Sequence, residues 1–183
     1  MSTLYERRVE QEWRLLQSLA EANPGLIEIL ERRLDQGDEI LDFKLHKTEA
    51  LREKAGALTI QNSHRVALHF PRFFPSVPLE ASLTEPVFHP NVNPDSGFVC
   101  LWNRFSAGDT IIQAVSQLQG ILTWQLVNEH PDHLMQPDAL VWLKDPNRHV
   151  ALPLTGQPVR RPEGFTLAHT YATRPEGFRR RLF

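Results

Sequence analysis

The period of apolar residues changes twice along this 183-residue chain, and that alternation limits the folds open to it. Tyr5, Val9, Trp13, Leu16 and Ala20 recur at spacings of three and four, which predicts an amphipathic helix. Asn23-Pro24 breaks or restarts it, since Asn suits an N-cap and Pro the first helical position. Ile27, Leu30 and Leu34 continue the stripe to Asp35, and Gly37 stops it, so one kinked helix or two short ones are expected. From Glu39 the period becomes two. Leu41, Phe43 and Leu45 alternate with Asp42, Lys44 and His46. Lys54-Ala55-Gly56 reads as a turn, Leu58 and Ile60 as a strand, Asn62-Ser63 as another turn, then Val66, Leu68 and Phe70 as a strand. Leu79, Ala81 and Leu83 alternate again after a run of prolines. Four short strands with close turns predict an antiparallel meander. The helical period returns from Thr110 to about Asn128, where Ile111, Val115, Leu118 and Leu122 share a face and Thr110 with Gln113 forms a capping-box signal. A short helix is expected from Pro137 through Leu143, ended by Pro146. The fold class expected is α+β, with helices packed on one face of the sheet.

Charge divides the chain. Residues 1–145 carry 13 Lys+Arg against 20 Asp+Glu, a net of −7, whereas residues 146–183 carry 7 against 2, a net of +5. One domain over 1–145 followed by a Pro/Arg-rich tail over 146–183 is therefore expected. In the tail, Arg161-Pro162-Glu163-Gly164-Phe165 recurs as Arg174-Pro175-Glu176-Gly177-Phe178. The tail reads either as an extended, partly mobile segment or as a docking segment whose Phe residues act as plugs. An acidic body argues against nucleic acid as a partner. No run of apolar residues is long enough to span a bilayer, and the N-terminus lacks the apolar core of a secretory signal. A single cysteine excludes an intramolecular disulfide and a cysteine-built zinc site, and a reducing cytoplasmic setting is expected.

That cysteine, Cys100, closes the stretch His89-Pro90-Asn91-Val92-Asn93-Pro94-Asp95-Ser96-Gly97-Phe98-Val99-Cys100-Leu101. A lone cysteine between apolar neighbours is ordinarily a small core residue. A thiol with an amide side chain nearby can instead support acyl transfer, the sulfur carrying the acyl group and the amide stabilising developing oxygen charge.

The His-Pro-Asn tripeptide, a short Gly-containing loop and an apolar pair before Cys-Leu resemble the active-site segment of ubiquitin-conjugating enzymes. Phe70-Pro71-Arg72-Phe73-Phe74-Pro75-Ser76-Val77-Pro78 resembles that family's proline-rich passage between its third and fourth strands, and Phe105-Ser106-Ala107-Gly108-Asp109-Thr110 resembles the segment after its cysteine. The three stand in family order over roughly residues 1–145. The resemblance implies a ubiquitin-conjugating-enzyme-like fold and a thioester carrier. Cys100 would accept a ubiquitin-like modifier from an activating enzyme and pass it to an amine. A free thiol is only a few per cent thiolate at neutral pH, so the donor must already be activated. No cofactor, metal or nucleotide site is implied, and no Gly-rich phosphate loop is present.

By the same resemblance Asn91 either stabilises the oxyanion or braces the loop beside Cys100. His89, with Pro90, is structural and bonds local backbone. Asp132 or His133 orients the incoming lysine, and a neutral imidazole there could take its proton. His130 and His133 lack a sensibly spaced third metal ligand. Arg7, Arg8 and Arg14 on the first helix would meet the activating enzyme. Phe73, Phe74, Ala107 and Gly108 would meet a ligase or substrate protein.

The chain also departs from the family pattern. The stretch from Asn91 to Cys100 is one residue longer than usual and that from Cys100 to Thr110 about three shorter. Phe105 stands for the usual tryptophan, Gly108 stands near a common proline, and the final helices give way to the tail. These differences point to a divergent branch, of the kind seen in bacterial conjugation systems resembling the ubiquitin pathway. Two rivals follow. One is a catalytically silent module that holds a ubiquitin-like protein. The other is a cysteine hydrolase, which would need a second histidine brought to the thiol.

Overall fold

The structure, a computed structural model, describes residues 3–163 together with the backbone of residues 178–180. Helix α1 (Leu4–Ala22) begins in a capping box: the Thr3 hydroxyl accepts from the Glu6 amide, and the Glu6 carboxylate accepts from the Thr3 amide. Its buried face is Val9, Glu12, Leu16 and Leu19, with Tyr5, Trp13 and Ala20 at the margins.

A five-stranded antiparallel sheet follows in simple meander order: β1 (Ile27–Asp35), β2 (Asp38–Lys54), β3 (Ala57–Phe70), β4 (Glu80–Leu83) and β5 (Phe98–Val99). The antiparallel meander stands as expected, but with five strands where four were read: β1 and β5 are additional, and the strands read at 58–60 and 66–70 are one, β3. Residues 27–35 form a strand, not a helix. A bulge between Ile29 and Glu31 breaks the two-residue alternation and produces the three-and-four spacing that suggested a helix. The turn Gln36-Gly37, with φ of 51° and 95°, joins it to β2; two left-handed residues suit a tight hairpin with the native twist. Ala55-Gly56 repeats that geometry between β2 and β3. Asn62-Ser63 is not a turn but lies inside β3, because the opposing bulge between His46 and Ala50 absorbs the irregularity.

Helix α2 (Ile111–Leu122) carries the expected Thr110–Gln113 capping box but ends earlier than its apolar run. Trp124 takes a left-handed φ of 61°, and the chain turns back into β6 (Leu126–Asn128). Gly120 permits this reversal, since a Cβ there would stand 2.7 Å from Leu126 Cδ1. A 3-10 turn (Pro131–His133) and helix α3 (Pro137–Lys144) follow, the latter with proline in its first turn as expected.

The main core lies between the sheet and helices α1 and α2, around Leu16, Leu19, Phe43, Leu68, Val115 and Leu118. A second cluster gathers Phe88, Trp124, Val127, Ala139 and Leu143. Leu152 and Leu154 complete it, so this part of the tail is packed against the body and not free. The strap continues along the β2 bulge, where Glu49 N–H donates to Thr155 O and Gln157 N–H to Lys47 O. Asn23 then holds Arg160 through both backbone groups. Docking here uses leucines. Phe165 and the side chains of the second RPEGF copy lie outside the described residues; the backbone of β7 (Phe178–Arg180) pairs antiparallel with β6. Among the described residues no helix is long and apolar enough to cross a membrane.

Candidate active site around Cys100

From β5 into the residues that follow it, alternate side chains go to opposite sides. Val99 and Leu101 are buried, and Cys100 between them is half-buried at the surface. The loop before it is built by Asn93, whose side-chain oxygen accepts from the Asp95 and Ser96 amides. Gly97 closes that loop at φ +70°. A Cβ there would stand 2.0 Å from the Leu83 carbonyl oxygen, so the close approach of β4 demands glycine.

Asn91 is fully buried and ties three segments together. Its Nδ2 donates to the carbonyls of Asn128 (2.7 Å) and His133 (2.9 Å), and its Oδ1 accepts from the Asn128 amide (2.8 Å). Its own carbonyl accepts from the Cys100 amide (2.9 Å). Both amide hydrogens therefore have partners within the protein. This is the geometry of a brace, and an oxyanion would have to displace a carbonyl to use it.

His89 is also fully buried. Its Nδ1 accepts from the Asn91 amide at 3.1 Å, and its ring meets Trp124 edge to face, 4.6 Å between centroids. Burial pushes its pKa down to about 3, against a smaller opposing pull from the Leu126 backbone. Such a ring stays neutral and organises backbone.

The loop after β6 brings a different histidine to the sulfur. His130 caps the 3-10 turn through Nδ1, which accepts from the Asp132 amide, and His133 N–H donates to the His130 carbonyl. His133 Nδ1 then lies 2.9 Å from Cys100 Sγ. Burial pushes the Cys100 thiol pKa up. Asp132 points elsewhere: its carboxylate is 83% exposed, with Oδ2 3.5 Å from His130 Nδ1. Of the two residues considered for the acceptor side, His133 is the one in contact with the thiol. Among the described residues no group of three or more His, Cys, Asp or Glu could hold a metal ion.

The candidate partner surfaces divide. Arg7 and Arg14 are exposed on α1, Arg14 pairing with Glu10 at 3.1 Å. Arg8 is not part of that outer face. It turns inward to Glu12 (3.0 Å) and the Ala107 carbonyl (3.3 Å), with its guanidinium 5.6 Å from the Phe74 ring centre. Phe73 is 71% exposed, and Ala107 and Gly108 are exposed as well. Phe74 corrects the expectation of an exposed pair. Only 2% of it is exposed, packed edge-on against Phe70 at 5.0 Å, because the tight turn through Pro71–Val77 sends adjacent residues to opposite sides.

Two structural features escaped the sequence reading. The Cys100–His133 contact spans 33 residues, and no periodicity connects them. Glu12 is fully buried between α1 and α2, although its place on the Val9–Leu16 stripe was a readable signal.

No protein-family model matches this chain, and no curated protein does. Solved structures do. One described as "Ubiquitin conjugating enzyme (putative) from Trypanosoma cruzi" superposes with a TM-score of 0.53 at 16% identity, covering 79% of this chain and 91% of that one. Another, "Crystal structure of a putative ubiquitin conjugating enzyme from Plasmodium yoelii", gives 0.53 at 17% identity, covering 80% and 87%. At this identity the likeness concerns architecture: the chain has a divergent ubiquitin-conjugating-enzyme-like fold, with Cys100 in the segment after its β4.

Proposed function

We propose that this protein carries a ubiquitin-like modifier as a thioester on Cys100, accepting it from an activating enzyme and passing it to an amine. The observation that carries this reading is the placement of the one cysteine. It is half-buried at the surface of a ubiquitin-conjugating-enzyme-like fold, and Asn91 fixes its backbone while bracing the loop beside it. Residues 1–145 form the catalytic unit, and residues 146–183 are an appendage whose first part straps the body. Exposed Arg7 and Arg14 suit contact with the activating enzyme. Phe73, Ala107 and Gly108 suit a ligase or substrate protein, since an exposed aromatic is a strong anchor. His133, with Asp132 beside it, receives the acceptor. A thiol in this role needs a reducing compartment such as the cytoplasm.

The Cys100–His133 contact also favours a second reading, a cysteine hydrolase acting on a thioester or isopeptide. It is the weaker one. Among the described residues no side chain hydrogen-bonds the far nitrogen of the His133 ring, and Asn91 has no amide hydrogen left for an oxyanion. A silent binding module has no use for a thiol held against a base.

The test mixes the protein with candidate activating enzymes, their modifiers and ATP. A reductant-sensitive adduct that disappears in Cys100→Ala supports the carrier. Cleavage of a modifier from a conjugate, with no adduct on Cys100, would transfer the assignment to the hydrolase.

A further inference from the structure

We propose that His133 is an acid–base catalyst of the carrier reaction, exchanging a proton with Cys100 in both half-reactions, and that Asn91 acts through it as a positioning residue. This deepens the carrier reading and rests on it.

The geometry is built from both sides of the contact. The Asn91 carbonyl takes the Cys100 amide, and the Asn91 side chain takes the His133 carbonyl, so one residue fixes the backbone of both partners. The loop holding His133 is pinned beyond it as well. The Met135 amide donates to the Pro90 carbonyl at 2.7 Å, and Gln136 Nε2 donates to the carbonyls of Val87 and Val92. The result is Nδ1 at 2.9 Å from Sγ. A brace of this kind has an output, and the output is an imidazole on the sulfur.

Partial burial disfavours a standing thiolate, so the thiol proton must leave as the new bond forms. In loading, the Cys100 proton passes to His133 Nδ1 while Sγ bonds to the carbonyl carbon of the donor thioester. The bond from that carbon to the donor sulfur then breaks, and the departing thiolate takes the proton from the imidazolium. In discharge, a neutral amine nitrogen bonds to the carbonyl carbon and gives a proton to Nδ1. The bond to Sγ breaks, and the imidazolium returns the proton to Cys100. No oxidant, metal or nucleotide enters either step. The titratable groups near the imidazole, among the described residues, are Cys100, His130 (ring centres 5.9 Å apart) and the neighbouring Asp132, whose carboxylate lies toward His130.

The test is the pH profile of iodoacetamide alkylation of Cys100 in the full chain. Wild type is expected to show a second inflection beneath the thiol limb, arising from the His133–Cys100 contact. His133→Gln should keep only the thiol limb and react at least about ten-fold more slowly at neutral pH, within the range of general-base effects. Asn91→Ala should lose the same inflection with its circular dichroism unchanged, because His133 remains but is no longer held. Superimposable profiles of wild type and His133→Gln overturn the proposal. A small acyl donor, the mercaptoethanesulfonate thioester of N-acetylglycine, separates this from the carrier reading. If it charges wild type and His133→Gln with identical pH profiles, the carrier stands and the proposal falls. If the inflection depends on His133 but Cys100 cannot be charged, the proton exchange stands and the carrier role falls.

Discussion

Glu12 sets up a measurable conflict between fold and solvent. Its carboxylate is sealed between α1 and the start of α2, where Oε2 accepts from the Ile111 amide at 2.8 Å and Oε1 from Arg8 at 3.0 Å. Burial outweighs those two stabilising contacts and raises its pKa from the ordinary 4.5 to about 7. Between those values the folded chain holds a proton that the unfolded chain has released. The favourable contribution of the protonated form is therefore complete below pH 4.5 and is lost as pH rises through about 7. At about 1.36 kcal/mol per pH unit, the interval amounts to about 3 kcal/mol. His89 has the opposite sign: its folded value of about 3 lies below the ordinary 6.5, so its contribution is lost as pH falls. The two slopes offset each other in the weakly acidic range, which hides both in the wild type. Glu12→Gln removes one of them. Urea unfolding of both proteins across the range from pH 4 to pH 8 gives the difference in unfolding free energy, and every group common to both cancels. That difference should move by about 3 kcal/mol in favour of the variant as pH rises. The constant offset from the altered contact with Arg8 does not affect this movement. A difference that stays flat within about 0.5 kcal/mol would refute the assignment of a buried, protonated Glu12.

Phe74→Ala should destabilise the protein by roughly 3–5 kcal/mol, as for a large buried ring, and Phe73→Ala by under about 0.5 kcal/mol; thermal unfolding of the pair checks the contrast. Gly97→Ala forces a methyl into the Leu83 carbonyl and should cost well over about 1 kcal/mol while slowing Cys100 alkylation by displacing β5. Preserved stability and reactivity would contradict the reading of that turn. Leu154→Ala should lower stability by roughly 2–5 kcal/mol, because the strap closes the cluster around Trp124. If truncation at 154 is silent in chemical unfolding, the strap is not part of the folded body.

Which elements were legible follows from which forces act locally. The capping box read at Thr110 opens a real helix because a cap is settled within four residues; the one at Thr3 is equally local and went unread. The turn at Ala55-Gly56 is local too and was read as one; Gly37 was read as a helix stop, although it marks a hairpin of the same kind. The segment 27–35 was misread because a bulge is a property of a strand pair. Only the partner strand β2 shows why Ile29 and Leu30 can both be apolar in a strand. The end of α2 was overrun for a related reason. Leu126 and Val127 continue an apolar pattern, but their burial is against Gly120 and the Trp124 cluster, not along a helix face.

The site divides along the same line. Cys100, Asn91 and a structural His89 could be named from one contiguous segment through its resemblance to a known family; that His89 is buried is seen only in the structure. His133 could be placed near the acceptor side but not at the sulfur, since the loop that delivers it is fixed by bonds to Pro90, Asn91 and Val92, about forty positions earlier. The same bonds explain why an asparagine suits position 91. A carbonyl oxygen and two amide hydrogens on one planar group can take the Asn128 amide and the two carbonyls of Asn128 and His133 at once. Aspartate would offer no donors to those carbonyls and would bury a charge. Serine would be too short to reach both the end of β6 and the turn that carries His133. The residue type at position 91 is therefore dictated by the backbone it joins, and the same junction holds the Cys100 backbone and the loop whose imidazole lies 2.9 Å from Sγ.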